Sequence, residues 1–268
     1  MSEPLIVCIT TLPSRIGLLR PTLESLLSGQ KLPQAIRIIV PDRPLRETAE
    51  YAIPPFLLDT AFHGGLVEIV KVERDWGPGS KLLGGLQSIT EPSVLVVADD
   101  DVRYRADFLQ GLWEAQHANH HVSFSYYTYR VGGITIGQGC DGFSFWTPNL
   151  DGIFDFFDRH VNGTDIMFHD DFWISFFLAA EGISIESLGH KLDGGLIYEQ
   201  VHEINALRHL DGALVREDLN RRGYAMLMKS VPLPVARRLD ISMRALSQKY
   251  FVGQISRVRR SLDKVLAR

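Results

Sequence analysis

The run Val94-Leu95-Val96-Val97-Ala98-Asp99-Asp100-Asp101 decides how this chain folds. Five consecutive apolar residues, mostly β-branched, describe a strand covered on both faces, as in the interior of a parallel α/β sheet. Its carboxyl end carries three acids. Ligands of open α/β sheets gather outside the carboxyl ends of the strands, so Asp99, Asp100 and Asp101 are predicted at the mouth of a site. Three neighbouring anions repel one another unless a positive charge sits among them. Oxygen-only ligands suit Mn²⁺ or Mg²⁺, ions that usually share their shell with substrate phosphates. The expectation is a metal bound together with a phosphorylated substrate; the plain alternative is a solvated acidic turn.

Toward the N-terminus, Leu5 to Thr10 reads as a short buried strand, with the polar turn Thr11-Leu12-Pro13-Ser14-Arg15 at its end. A helix is predicted from about Leu18 to Leu27, with Leu19, Leu23, Leu26 and Leu27 on one face and Gly29 beyond. Ala35 to Val40 follows as a second strand stopped by Pro41, and Leu66 to Val72 as a third. Strand, helix, strand is the opening of a parallel α/β sheet. The first turn has neither GxGxxG nor GxxxxGK[ST], which disfavours a dinucleotide fold and a phosphate loop. Arg15 could reach a diphosphate from that turn or be a solvated loop residue. The loop Asp75-Trp76-Gly77-Pro78-Gly79-Ser80-Lys81 leads into a helix predicted over Leu82 to Ser88, with Ser80 as N-cap. A glycine-flanked helix start carrying a lysine suits an anion, so Lys81 is a second candidate phosphate contact.

Toward the C-terminus, Tyr104 to Ala118 reads as helix and Val122 to Tyr129 as strand. Ile134 to Gly142 is a glycine-rich stretch and Phe143 to Trp146 a further strand. His169-Asp170-Asp171 is the second acidic cluster. It opens an apolar helix that ends at Gly182, with Asp170 as a fair N-cap and Asp171 as a first-turn acid. If one acidic group holds metal, the other can take a proton from an acceptor hydroxyl. Ile183 to Leu188 reads as a last short strand, and His190, His202 and His209 follow it.

The chain has 268 residues, 45% hydrophobic and 22% charged, with a net charge of −4. That is ordinary globular composition, and the charge argues against a protein wrapped around nucleic acid. Cys8 and Cys140 have no metal-type spacing and suit a reducing compartment. Met1-Ser2-Glu3-Pro4 runs into a strand without a leader, and no apolar run reaches the roughly 20 residues that span a bilayer. The expectation is a cytoplasmic chain, soluble or held at the inner membrane face. Asn162-Gly163-Thr164 matches a glycosylation acceptor, a frequent chance match. The division expected is a catalytic domain over residues 1–228 and a basic amphipathic tail over 229–268. In the tail Val235, Leu239, Met243, Leu246 and Tyr250, then Ile255, Val258, Leu262 and Leu266, recur at helical spacing among arginines and lysines. Such a tail can lie on an anionic membrane, dock on its own domain or pair with a second subunit.

Together these parts resemble the inverting GT-A glycosyltransferases of bacterial glycan synthesis. The resemblance is carried by Thr11 to Arg15, Asp75 to Lys81, Val94 to Asp101, Gly139 to Phe143, and Asp170-Asp171 with the following helix. It implies a GT-A fold, an α/β architecture with a mixed, mostly parallel sheet flanked by helices, ahead of the helical tail. It also implies a transferase taking a nucleoside-diphosphate sugar, UDP being the expected nucleotide, to a hydroxyl of a glycan or lipid-linked acceptor. Arg15, Asp75, Lys81, Asp99, Asp100 and Gly142 would lie at the donor. Asp101 and Asp99 would hold Mn²⁺ or Mg²⁺, with His190, or failing it His202, as a third ligand. Asp171, or failing it Asp170, would be the base; the family usually has Glu-Asp here, whereas this chain has Asp-Asp, which leaves the choice open. Two other readings stand beside this one. A sugar-phosphate nucleotidylyltransferase would carry a glycine-rich basic loop after the first strand, which Thr11 to Arg15 lacks. A non-catalytic sugar-nucleotide or glycan-binding protein would not need two intact acid clusters.

Overall fold

The computed structural model describes residues 3–189, 196–202, 204 and 213–239. Seven strands form the central sheet: β1 (Leu5–Thr10), β2 (Ala35–Pro41), β3 (Val67–Val72), β4 (Val94–Ala98), β6 (Val122–Ser125), β9 (Phe143–Trp146) and β10 (Ser184–Ser187). Their spatial order is β3-β2-β1-β4-β9-β6-β10. All neighbours are parallel except at β9, which runs against both β4 and β6. The fold is therefore α/β with a mostly parallel sheet flanked by helices, as the sequence predicts. β4 lies at the middle, and all five of its residues are buried.

Side chains alternate across the sheet because the strand repeat is two residues. Val94, Val96 and Ala98 join Leu5, Val7 and Ile9 in one core layer, under α1 (Arg20–Leu27) and α4 (Phe108–Ala118). Leu95 and Val97 join Ile6 and Cys8 in the other, under α3 (Ser80–Leu86), α5 (Ile153–His160) and α6 (Asp170–Glu181). Each such aliphatic chain, fully buried, contributes about 1.5–3 kcal/mol. Both layers close off the sheet, so polar groups on β4 can emerge only at its ends.

Several local predictions are corrected. The helix after Asp101 begins at Phe108, because the chain first makes β5 (Val102–Tyr104), paired antiparallel with β11 (Tyr198–Gln200). The strand from Val122 breaks after Ser125. There Tyr126 turns inward, its ring 6.0 Å from that of Phe108 and its hydroxyl donating to Phe108 O at 3.0 Å. The chain then makes the hairpin β7 (Thr128–Val131) and β8 (Ile134–Gly137). Neither α2 (Thr60–His63) nor α5 is predicted from the sequence. Ser80 lies inside α3 and not at its cap; its hydroxyl donates to Asp75 Oδ1 at 3.0 Å and accepts from Trp76 N at 2.8 Å. α6 starts at Asp170 without a side-chain cap and stops where Gly182 adopts φ 85°.

A long helix, α7 (Ala213–Ser230), crosses the boundary expected at residues 228/229, and residues 233–239 are helical too. Val231, Val235 and Leu239 pack on the core, and Arg238 donates to Ala179 O and Ala180 O at the end of α6, at 2.8 and 2.6 Å. The first part of the tail therefore docks on its own domain. His190, His209 and the tail beyond Leu239 lie outside the described residues. No helix among the described residues is long and apolar enough to cross a membrane.

Candidate active site

The parallel strands end together, and the turns after β1 and β4 face the start of α6 across a cavity of about 380 Å³. The triple acid that closes β4 is divided among three environments. Asp100 is 2% exposed and turned inward: Thr11 Oγ1 donates to its Oδ2 at 2.5 Å, and the Arg15 guanidinium engages both carboxylate oxygens, with Nε at 2.9 Å from Oδ2. Its backbone carbonyl accepts from Thr22 on α1 at 3.1 Å. A bidentate guanidinium pair of this kind is directional, and it fixes the turn. Asp100 and Arg15 thus act first on each other.

Asp99 and Asp101 face the cavity. The Asp99 side chain is 32% exposed; its Oδ1 accepts from Lys81 Nζ at 2.7 Å, and its backbone N–H donates to the Tyr104 hydroxyl at 2.9 Å. Asp101 Oδ2 lies 3.9 Å from Arg15 Nη2. Burial, and then the neighbouring negative charge of Asp99, raise the Asp101 pKa above its ordinary value, while Arg15, Gln200 and His202 oppose the rise. β11 ends in Gln200, and His202 follows two residues on. Gln200 Nε2 and Val201 N both donate to Asp101 O, at 3.0 and 2.8 Å.

Lys81 is the bridge to the second acidic cluster. Its ammonium, on a residue 4% exposed, lies 2.7 Å from Asp99 and 3.0 Å from Asp170 Oδ2. Burial alone would drive a lysine neutral, yet Asp170, Asp99 and Asp171 together hold its pKa well above the ordinary value. The Asp170 contact is ionic: its angles do not make a hydrogen bond, and Asp170 Oδ2 has no hydrogen-bond partner among the described residues. Gly139 is essential to this arrangement, since a Cβ there would stand 2.7 Å from Lys81 Nζ.

Asp171, one residue further on, accepts from Gly139 N at 2.8 Å. Burial, and then repulsion from Asp170, push its carboxyl from 3.8 up to about 8, against the pull of Lys81 and the Gly139 N–H. A carboxyl in that range can take and return a proton near neutral pH. Cys140 also borders the cavity, but burial and then Asp99 push its thiol well up, so it remains protonated.

The other predicted donor contacts have different surroundings. Asp75 lines the cavity, but its oxygens already accept from Leu45 N (2.8 Å), Gly77 N (2.7 Å) and Ser80 Oγ, so it organises its own loop. Gly142 does not line the cavity. It adopts φ 77° in a turn bonded back to Gly139 O, and Phe108 and Leu112 fill the space where a Cβ would go. His202, weighed against His190 as a metal ligand, lies close enough to Asp101 and Arg15 to feel their charge. Both its ring nitrogens are sealed from water and lack hydrogen-bond partners among the described residues. Burial, then Arg15, lowers its pKa against the opposing pull of Asp101, which favours the neutral ring that binds metals. Residues that the sequence reading did not single out also line the cavity, among them Tyr51, Gln138, Tyr198 and Gln200.

Six carboxylates line the cavity against three permanent cations, Arg15, Arg46 and Lys81. With Asp171 protonated the wall is still anionic, so it suits a divalent cation and opposes a bare phosphate. Asp99 and Asp101 are fitting ligand chemistry for Mn²⁺ or Mg²⁺, and the imidazole of His202, unpartnered among the described residues, would favour Mn²⁺ of the two. Among the described residues, however, the three-residue group whose ligand atoms lie within 4.8 Å of one another is elsewhere, at Glu3, His117 and His120. Set against family models and against curated proteins, the chain matches none.

Proposed function

We propose that the protein is a metal-dependent glycosyltransferase of the GT-A type, transferring a sugar from a nucleoside-diphosphate sugar to a hydroxyl of a glycan or lipid-linked acceptor with inversion. One observation carries this reading. Two acid groups converge on one cavity in different surroundings: at a strand end Asp99 pairs with Lys81 and Asp101 lies 3.9 Å from Arg15, while burial and Asp170 push the Asp171 carboxyl to about 8. Such a separation of environments is how neighbouring carboxyls are assigned electrostatic and proton-transfer roles.

Asp99 and Asp101 would hold Mn²⁺ or Mg²⁺, with His202, or His190 outside the described residues, completing the set. The bound ion would supply charge neutralisation for a departing nucleoside diphosphate. Asp171 would accept the acceptor hydroxyl's proton onto its carboxylate, and the Gly139 N–H keeps that side chain aimed. Asp170 raises the proton affinity of Asp171, and Lys81 limits the rise. Arg15 holds Asp100 and through it the turn that presents Asp99 and Asp101. Direct displacement from the face opposite the leaving group needs no covalent intermediate and inverts the anomeric carbon.

The test is a thermal-shift screen of nucleoside diphosphates and their sugars with Mn²⁺, followed by assay of nucleoside diphosphate release. The expected outcome is stabilisation by a nucleotide that requires the metal, and slow metal-dependent release. Asp101→Ala should lose both, whereas Asp171→Asn should keep binding and lose turnover. Pyrophosphate release in place of nucleoside diphosphate would favour a nucleotidylyltransferase. Failure of every donor to bind or turn over would end the transferase reading.

A further inference from the structure

A second cluster of ligand-type side chains lies at the opposite end of the sheet from the acidic cleft. Glu3 stands just before β1, at the amino ends of the strands whose carboxyl ends form the cavity. His117 is in the last turn of α4, and His120 is in the connection to β6. Glu3 Oε2 is 3.0 Å from His117 Nδ1, and Glu3 Oε1 is 3.0 Å from His120 Nε2. All three ligand atoms lie within 4.8 Å of one another.

Two observations point beyond a simple hydrogen-bonded triad. First, the contact to His120 is close but badly aimed. His120 Nε2 is sealed from water and has no hydrogen-bond partner among the described residues, although a carboxylate oxygen stands beside it. A buried ring nitrogen without a partner carries an uncompensated desolvation cost, which a metal at that nitrogen would remove. Second, both rings are held in place before any ligand arrives. His120 stacks on Trp146 at 4.0 Å with 4° between planes, and His117 on Trp113 at 5.0 Å with 6°. Lys31 Nζ lies 3.7 Å over the Trp113 ring on its own account. Zn²⁺ with bonds of about 2.0–2.1 Å sets tetrahedral neighbours roughly 3.3 Å apart, so ligand atoms within 4.8 Å of one another need only a small inward adjustment to share one ion.

We propose that Glu3, His117 and His120 bind one divalent transition-metal ion of the zinc class. Two imidazoles and one carboxylate select Zn²⁺, Ni²⁺ or Cu²⁺ over Mg²⁺, which prefers oxygen alone. The site would tie the lead-in of β1 to the α4–β6 connection, with a fourth position open to water. It is independent of the cleft and of the transferase reading.

The stacked tryptophans supply the readout. Paramagnetic Ni²⁺ bound to either ring would be one imidazole removed from a stacked indole and should quench its fluorescence. The tag-free full chain is titrated with NiCl₂ and then with ZnCl₂ in competition, with far-UV circular dichroism as a check on folding. Expected is saturable quenching at one ion per chain, reversed by Zn²⁺. His120→Ala and Glu3→Gln should abolish saturation or weaken it by about tenfold or more, as the loss of one ligand in three requires. Asp101→Ala, altered in the cleft, should retain it. Absence of saturable quenching in the wild-type chain, retention of it in His120→Ala, or its loss in Asp101→Ala overturns the proposal.

Discussion

Asp171→Asn separates the stability of the cleft from its chemistry. The amide has the size of the carboxyl and keeps an oxygen to accept from Gly139 N. In the folded chain burial and Asp170 push the Asp171 carboxyl to about 8 from an ordinary 3.8. The folded state therefore binds this proton more tightly than the unfolded chain does. Its contribution to stability is complete below about pH 4 and is lost progressively as the pH rises through about 8. Each pH unit in that window is worth about 1.4 kcal/mol, so the wild-type chain gives up on the order of 4 kcal/mol at pH 7. Asparagine does not titrate. Asp171→Asn should match the wild-type chain near pH 4 and become progressively more stable than it up to about pH 8. For a domain of this size the gap corresponds to roughly 8–16 °C in Tm at pH 7. Thermal melts followed by circular dichroism at half-unit steps from pH 4.5 to 8.5 measure it. A gap independent of pH would refute the protonated, charge-crowded carboxyl. On the proposed function the same variant loses turnover, which makes the strained acid a cost in stability retained for chemistry.

Lys81→Met should be among the most damaging single changes. It leaves Asp170 buried beside Asp171 with no cation, and breaking such a pair costs about 3–5 kcal/mol; partial exposure of Asp99 sets the expectation near 3, read from urea unfolding. Gly142→Ala should cost about 1–3 kcal/mol, because it adds a side chain at φ 77° against Phe108, while leaving any Mn²⁺-dependent thermal shift intact. An unchanged melt with a lost metal response would instead assign Gly142 to the ligand. Arg238→Ala removes two hydrogen bonds to the carbonyls that end α6 and should cost about 1 kcal/mol in the same unfolding assay.

The frame of the fold was legible because its central strands are mostly apolar, β4 without interruption and β1, β2 and β9 with a single polar residue or a polar end. β1, β2, β4 and β9 are buried on both faces, and in such strands local composition and tertiary environment give the same answer. The errors fall where a single side chain overrides the local pattern. Tyr126 continues the β-rich run from Val122, yet its ring is worth more against Phe108 than in the strand, so the strand ends before it. Tyr104 likewise looks like the first residue of a helix. Its ring stacks 3.9 Å from Phe108 and its hydroxyl serves Asp99, which keeps it extended in β5.

The acid clusters were legible as chemistry, but their partners were not. Lys81 sits at a helix start after glycines, and local pattern assigns it to an anionic ligand. Its actual neighbours come from the end of β4, 18 residues on, and from α6, a helix whose approach depends on Gly79 having no side chain, while a Cβ on Gly139 would crowd the ammonium itself. Arg15 is similar: a loop arginine by sequence, and by structure the internal counter-ion of an aspartate 85 residues away. Charge pairs across that separation are set by packing of the layers, and one-dimensional spacing carries no trace of them. The Asp-Asp-Asp run therefore announced an electrostatic problem without its solution. The fold solves half of it internally, by pairing Asp100 with Arg15 and Thr11 and sharing Lys81 between Asp99 and Asp170. The remaining negative charge faces the cavity, where an incoming cation has the most to gain.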